Sequence, residues 1–173
     1  KDWIKNMKCF FCGINNVYDR DLNQVILARL NALAELEPEL EFFFCRKYGT
    51  PFFDTCFHAV RELKALRPGY PATVTLVLNS ENIPQNRFME QNIKYFDRII
   101  RLPEEGSTRD YMFERVIMKS CDCVLTYTYP QLYDNYNYNV RWLKRYRHIR
   151  VIDLTSAETT RYLTEQIYPL LTE

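Results

Sequence analysis

The sequence predicts an α/β fold: a single Rossmann-like domain over residues 1–173, with helices on both faces of a mainly parallel sheet of about five to six strands, giving three α/β/α layers. Two observations lead to this prediction. Short β-rich runs alternate with segments whose apolar residues recur at helical spacing, which is typical of βαβ units. The chain has 173 residues, a length at which one domain is the default and its core can bury about 70% of the surface.

The first half of the chain supplies three strand patterns and three helix patterns. The run "TVTLVL" is rich in β-branched residues, as expected of an interior parallel strand. In chain order, the predicted elements are a strand over 8–14, a helix capped by Asp19 or Asp21 and closed by Pro38, a strand over 40–45, a helix begun by Thr50 and Pro51, a strand over 73–78, and a short helix over 86–94.

The second half repeats the alternation. The predicted elements are a strand in "DRIIRLP", a helix capped by Ser107 or Thr108, a strand in "CDCVLTYTY", a helix after Pro130, a strand in "IRVIDL", and a last amphipathic helix over 156–171. In the first of these helices, the spacing predicts that Met112, Phe113, Val116 and Ile117 share the buried side.

Composition and charge exclude several classes of partner. The apolar fraction of 47% and the charged fraction of 26% are those of an ordinary globular protein. The net charge of +1 provides no field for nucleic acid or acidic membranes. The one basic run, "RWLKRYRHIR" over 141–150, is interpreted as a solvated helix end, with a phosphate or RNA contact as the alternative. No apolar run is close in length to a membrane-spanning helix, which needs about 20 residues. We therefore expect no membrane association.

Six cysteines raise the question of a metal or redox site. Cys9 and Cys12 have redox or zinc-type spacing, but they fall in a predicted strand, where they would point to opposite faces. Cys121 and Cys123 make a poor second pair for zinc. We therefore expect buried, reduced thiols, a cytoplasmic location and no metal site.

Polar and aromatic residues follow the predicted strands at their carboxyl ends. In a doubly wound sheet, ligands bind at that edge, near the point where the strand order reverses. The helix that begins at Pro51 opens there as well, and its first amides favour an anion. The candidate ligand-binding residues from these strand ends and this helix are Gly13, Asn15, Arg46, Tyr48, Gly49, Thr50, Asp54, Asn79 and Tyr127.

The residues identify no catalytic set and no cofactor. Neither a GxGxxG nor a Walker phosphate loop is present. His58 and His148 fall away from the predicted strand ends. The carboxylates available near the site are Asp54, Glu81 and Glu114, and no acid and base can be paired among them. Whether the protein is an enzyme is left open, with a non-catalytic role favoured.

With these residues placed, the chain resembles the SLOG superfamily of Rossmann-like proteins related to the LOG (lysine-decarboxylase-like) enzymes, and within it the YspA/YpsA-like branch. The resemblance covers roughly residues 7 to 155, and four segments carry it by their order and spacing. They are "CFFCGINN", "CRKYGTPFFDTCFHAVREL", "ATVTLVLNSEN" and "MFERVIMKSCDCVLTYTYP".

The resemblance implies binding of a nucleotide or nucleotide-derived ligand, and it adds Arg115 to the candidate residues. Several positions depart from the family pattern. The leading glycines of the second motif are replaced around Cys45 and Arg46, the Arg-Asn pair reads Glu114-Arg115, and the "PGGxGTxxE" signature of the nucleotide-cleaving enzymes is absent. A side chain in place of glycine blocks close approach of phosphate to the backbone. Because related folds often form dimers, a homodimer is a candidate assembly.

Three functions remain open at this point. The first is a non-catalytic or weakly catalytic binding or sensor domain for a nucleotide-like small molecule, with Tyr48, Tyr127, Tyr129 and Tyr136 as faces for a base. The second is an enzyme of the nucleoside hydrolase or deoxyribosyltransferase type, using Asp54 or Glu114. The third is a protein-interaction module whose pocket has filled with side chains and whose tyrosine-rich stretch contacts a partner.

Overall fold

The computed structural model describes residues 6–45, 50–78, 86–102, 110–132 and 136–172. These residues contain a six-stranded, all-parallel sheet in the order β4-β3-β2-β1-β5-β6. The predicted Rossmann-like α/β architecture is confirmed. The strands are β1 (Met7–Gly13), β2 (Leu40–Phe44), β3 (Ala72–Leu78), β4 (Arg98–Arg101), β5 (Cys123–Tyr127) and β6 (Arg150–Asp153).

The helices connect these strands as the apolar periodicity predicted. They are α1 (Leu22–Leu36), α2 (Pro51–Leu66), α3 (Arg87–Asn92), α4 (Asp110–Met118), α5 (Tyr136–Leu143), α6 (Ala157–Tyr162) and α7 (Tyr168–Leu171). A 3₁₀ turn, Ile93–Tyr95, follows α3, and a π-helical turn, Leu163–Ile167, joins α6 to α7. Asn86 and Ser156 cap α3 and α6 through their side chains. Ser107 and Thr108 lie outside the described residues.

Helices lie on both faces of the sheet and divide the core in two. On one side, called here the α1–α2 face, the buried residues come from α1, α2 and alternate positions of the strands, including Phe11, Phe42 and Leu76. On the other, the α4–α5 face, the opposite alternation packs Phe10 and Phe43 against α4 and α5. Because side chains alternate along a strand, each of the four interior strands, β1, β2, β3 and β5, supplies both clusters.

The buried side of α4 differs from the prediction by one residue. Phe113 and Ile117 are buried as expected, but Met112 and Val116 are 37% and 55% exposed. Glu114 takes their place and is 1% exposed. The stripe 112, 113, 116, 117 and the stripe 113, 114, 117, 118 are neighbours on a helix, and hydrophobicity alone favours the one without a charge. This rotation buries a carboxylate and leaves two apolar side chains, Met112 and Val116, exposed.

All six cysteines are buried and free of disulfides. Cys9 lies in the core of the α1–α2 face and Cys12 in that of the α4–α5 face, so the predicted opposite orientation is confirmed. Among the described residues no group of three or more metal-ligating side chains comes together. No helix in the described part of the chain is both long and apolar enough to cross a membrane.

Candidate functional site

The strand order reverses between β1 and β5. The chain runs outward from β1 through β2, β3 and β4, then returns to β5 on the other side of β1. The carboxyl ends of β1 and β5 lie together, with Gly13 paired with Tyr127 and the N–H of Ile14 donating to the carbonyl of Tyr127 at 3.0 Å. This is the position at which doubly wound folds bind ligands.

Gly13 is packed closely by the protein's own side chains. A Cβ at this position would lie 2.6 Å from Cε1 of Phe52 and 2.8 Å from the carbonyl oxygen of Tyr127. The ring of Phe52 is 2% exposed and stacks on the ring of Tyr127, with centroids 5.5 Å apart. The absence of a side chain at Gly13 therefore admits Phe52, where a phosphate-binding fold would admit a ligand.

Tyr127 and Tyr129 are held by one carboxylate, that of Asp19. Their hydroxyls donate to Oδ2 of Asp19 at 2.6 and 2.7 Å. The hydroxyl of Ser156 donates to Oδ1 at 3.0 Å, and that of Thr159 donates to the same oxygen. Asp19 thus joins the end of β5 to the start of α6. Both tyrosine rings are 0% exposed, so neither presents a face on which a base can stack in this conformation.

This network shifts the titration of its members. Burial raises the pKa of Asp19, but the hydrogen bonds from Thr159, Tyr127, Tyr129 and Ser156 outweigh burial, and the pKa lies below its ordinary value. Burial and the bond to the ionised Asp19 raise the pKa of Tyr127 and of Tyr129. The backbone N–H groups of Tyr18 and Ser156 donate to the two hydroxyls at 3.0 Å. The two phenols are therefore neutral donors to a charged acceptor.

The start of α2 has fewer backbone N–H groups available to bind an anion than the start of a helix usually provides. Pro51 has no N–H, and the N–H of Phe52 donates to the carbonyl of Asn15 at 2.9 Å. The N–H of Asp54 is the first intrahelical donor, to the carbonyl of Thr50 at 3.0 Å. Thr50 precedes the helix as predicted, but its side chain makes no capping bond. Two of the usual four anion-binding positions are thus removed or used internally.

A buried polar cluster lies between α4 and α5. Glu114 and Asn139 are 1% and 0% exposed, and Nδ2 of Asn139 lies 3.5 Å from Oε2 of Glu114. Nε of Arg115 donates to Oδ1 of Asn139 at 2.8 Å, and its guanidinium lies 5.5 Å from the ring of Trp142. The amide of Asn139 is therefore oriented by Arg115, with its N–H₂ group toward the carboxylate.

Glu114 reaches the strand ends. It lines a small cavity of about 20 Å³ together with residues from the carboxyl ends of β1 and β2 and from the first turns of α2, among them Cys45, Phe52 and Cys56. That volume holds about one water molecule. The segments that continue from β2 and β3, residues 46–49 and 79–85, lie outside the described residues.

The predicted site residues fall into three groups. Gly13, Asn15, Thr50 and Tyr127 surround Phe52 at the switch point, and Asp54 is half-buried in the first turn of α2. Arg115 is directed to Asn139 on α5. Arg46, Tyr48, Gly49 and Asn79 lie outside the described residues.

Three important residues were missed as site members by sequence reasoning. Asp19 was one of two candidate caps for α1. The structure places Asp21 at the cap position, and Asp19 binds residues more than 100 positions away. Glu114 was considered only as a candidate reacting carboxylate of an enzyme and not as a ligand-binding residue, and Asn139 was not noted at all. Hydrophobic spacing gave no signal for Glu114, because the apolar residues of α4 form a stripe beside it that contains no charge.

Outside this edge, the two histidines are at the surface. Nε2 of His58 lies 2.8 Å from Oε1 of Glu62, and the His58 side chain is 62% exposed. His148 is exposed beside Tyr146.

In comparisons with known proteins, the chain matches no family model, no curated protein and no solved structure.

Proposed function

We propose that this chain is a binding or sensor domain for a nucleotide or nucleotide-derived small molecule, bound at the carboxyl edge of the sheet beside β1 and β2. The observation that carries the proposal is Glu114, a carboxylate 1% exposed at the strand ends. Burying a charge costs several kcal/mol (about 3 to 5 when a partner is lost), so such a group is kept where it serves binding or specificity. A carboxylate there accepts hydrogen bonds from ribose hydroxyls or a base amino group.

The surrounding residues support binding more than acid–base catalysis. Of the described residues that line the cavity, Glu114 is the one carboxylate, and the other titratable groups are the thiols of Cys45 and Cys56. The amide of Asn139 on α5 donates to the Glu114 carboxylate, and Arg115 on α4 holds that amide in its orientation. The ring of Phe52 packs closely against Gly13 at the carboxyl edge of the sheet. A single oriented carboxylate recognises a donor, but it does not supply the acid and base pair of a hydrolase.

A thermal-shift screen against nucleotides, nucleosides, NAD, ADP-ribose and cyclic nucleotides tests the proposal. A ligand at 100 times its Kd adds about 2.7 kcal/mol to the free energy of unfolding. For a chain of this size the midpoint then rises by about 5 to 10 °C. A selective rise with one compound supports a nucleotide site. No rise with any of them at millimolar concentration contradicts it.

The position of the site is tested with Glu114→Gln, which keeps the shape and removes the charge. Each shift is measured against the variant's own unliganded midpoint, because the substitution itself changes stability. We expect the ligand-induced rise to fall by more than half. Glu165→Gln, at an exposed position, is the matched control and keeps the full rise. An unchanged rise in Glu114→Gln places the ligand elsewhere.

The same carboxylate also favours a second candidate, cleavage of an N-glycosidic bond with Glu114 as the reacting carboxylate. The assay is release of free base from the compound that gives the largest thermal shift, followed by chromatography. Base release that is abolished in Glu114→Gln, while the ligand-induced thermal shift is reduced but still measurable, supports the enzyme. Binding without release supports the sensor domain.

The packing of Phe52 against Gly13 favours a third candidate, an interaction module in which side chains occupy the ligand-binding edge of the sheet. In the tyrosine-rich stretch, Tyr129 is 0% and Tyr138 is 48% exposed, so the stretch is divided between core and surface. This candidate predicts no thermal shift with any nucleotide. It also predicts a partner whose binding is weakened by Tyr138→Ala, with Tyr162→Ala, also an exposed tyrosine, as the control.

A further inference from the structure

A groove lies on the α4–α5 face, away from the carboxyl-edge cavity. Its volume is about 440 Å³, within the range of small-molecule sites. It forms because α4 and α5 pack over β1 while none of the described helices covers β3 and β4 on this face. The described residues that line it are Asn6, Lys8, Glu41, Phe43, Val77, Arg98, Ile100, Leu102, Val116, Ile117 and Ser120.

One end of the groove is polar and built around a buried carboxylate. Glu41 is 2% exposed although it lies in β2, an interior strand. Its Oε2 accepts from the hydroxyl of Thr75 at 2.9 Å and from Nη1 of Arg98 at 3.1 Å, and its Oε1 accepts from Nδ2 of Asn6 at 3.2 Å. Strands of an all-parallel sheet are normally apolar on both faces. A charged group at this position therefore calls for a role beyond packing.

The cations at this end outnumber the carboxylate. Arg98 pairs with Glu41 and leaves its side chain 56% exposed. Lys8 lines the groove from β1, and its Nζ forms no ion pair with the described residues. Among the described lining residues there are two cations and one carboxylate, so the lining of this end carries a net positive charge and several N–H donors. Since lysine and arginine donate and do not accept, the complementary group is an anion rich in acceptors.

The other end of the groove is apolar. Its floor is formed by Phe43, Val77 and Ile100 from the sheet, and its wall by Val116 of α4. Val116 is 55% exposed, because the buried side of α4 is rotated toward Glu114. An apolar body of drug-like size would cover these surfaces.

We propose that this groove binds a small anionic amphiphile: a carboxylate head between Lys8 and Arg98, and an aliphatic or aromatic body on Phe43, Val77, Ile100 and Val116. Charge complementarity at one end and apolar surface at the other select this class over cationic and neutral amphiphiles. The proposal does not depend on the nucleotide site. Of their described lining residues, the two cavities share only Phe43.

The test is a fluorescence titration of the whole chain with 1-anilinonaphthalene-8-sulfonate, an anionic apolar probe, followed by displacement with ten-carbon competitors. We expect decanoate to displace the probe at a concentration at least tenfold lower than decyltrimethylammonium or decanol. Equal displacement by all three competitors, or no saturable binding of the probe, overturns the proposal.

Variants locate the site. Lys8→Gln should weaken decanoate binding at least fivefold by removing a charge-assisted hydrogen bond. Val116→Glu should weaken it at least tenfold by placing a carboxylate on the groove wall. Lys144→Gln, at an exposed position outside the groove, is the control and should stay within twofold. Far-UV circular dichroism verifies the fold of each variant, and amide shifts in a ¹⁵N spectrum should cluster on β1, β2, β3, β4 and α4. Shifts confined to other elements, or equal affinities for all four proteins, refute the assignment.

Discussion

Replacing Asp19 by Asn gives the sharpest test of the buried network at the switch point. The carboxylate accepts from the hydroxyls of Tyr127, Tyr129, Ser156 and Thr159. An amide keeps one acceptor oxygen and turns the other side into a donor, so about two of these charge-assisted bonds are lost. At about 1.5 to 3 kcal/mol each, and allowing for solvent at this partly exposed group, the expected cost is about 3 kcal/mol. The midpoint of thermal unfolding should fall by about 6 to 12 °C.

The matched control is Asp21→Asn, two residues along the chain. Asp21 is exposed, precedes α1 and makes no side-chain capping bond, so its substitution should change stability by less than about 0.5 kcal/mol. Both variants are compared with the parent chain by urea unfolding followed by circular dichroism at pH 7. Equal stability of the two variants would show that the network at Asp19 contributes nothing net.

The pH dependence supplies an independent check. The pKa of Asp19 is lowered in the folded protein, so its carboxylate binds a proton less tightly there than in the unfolded chain. The stability from ionised Asp19 is therefore full well above the unfolded pKa of about 3.9, and it is lost as pH falls through the lower folded pKa. The difference between parent and Asp19→Asn should be constant from pH 8 to pH 6 and shrink below about pH 5. A constant difference down to pH 3 would refute the reasoning.

Three further predictions follow from contacts described above. Gly13→Ala should cost about 1 to 3 kcal/mol, and combining it with Phe52→Leu should cost at least about 0.5 kcal/mol less than the sum, measured by urea unfolding. Arg98→Met should destabilise by about 1 to 3 kcal/mol because it leaves Glu41 charged and buried, and adding Glu41→Gln should recover most of that loss; additive effects would contradict the pairing. All six thiols are buried, and burial raises the pKa of Cys121 to about 12. Ellman's reagent should therefore react slowly with the native protein, whereas all six thiols should react after unfolding in guanidinium. Rapid reaction of the native protein would contradict this.

The order of strands and helices was predictable because it depends on local periodicity. Alternating β-rich and amphipathic segments determined the α/β class, and all six strand patterns correspond to observed strands. The start of α3 was predicted to within one residue: the helix was expected from Asn86, and Asn86 is its N-cap, accepting from the backbone N–H of Met89. Helix ends were less predictable: α5 begins at Tyr136, several residues after Pro130.

The candidate site was less predictable because it depends on long-range partners. Nothing local distinguishes Asp19 from Asp21, and only the fold brings Asp19 to Tyr127, 108 residues away. The buried side of α4 was wrong by one residue because a hydrophobic count cannot anticipate a buried Glu114. The glycine at the end of β1 was correctly noted, but the sequence does not say that a phenylalanine from α2 occupies the space beside it.

The order of the strands also has a consequence for how the chain acquires its structure. β1 lies between β2, which follows it closely, and β5, whose residues come more than 100 positions later. During synthesis from the amino terminus, β1 therefore remains an edge strand until β5 has emerged, with the apolar run "CFFC" unpaired along one side. Closing this pairing is a late, high-contact-order step, which slows folding relative to helical domains of equal size. The incomplete chain is consequently the form most prone to aggregate and the one that chaperones would bind.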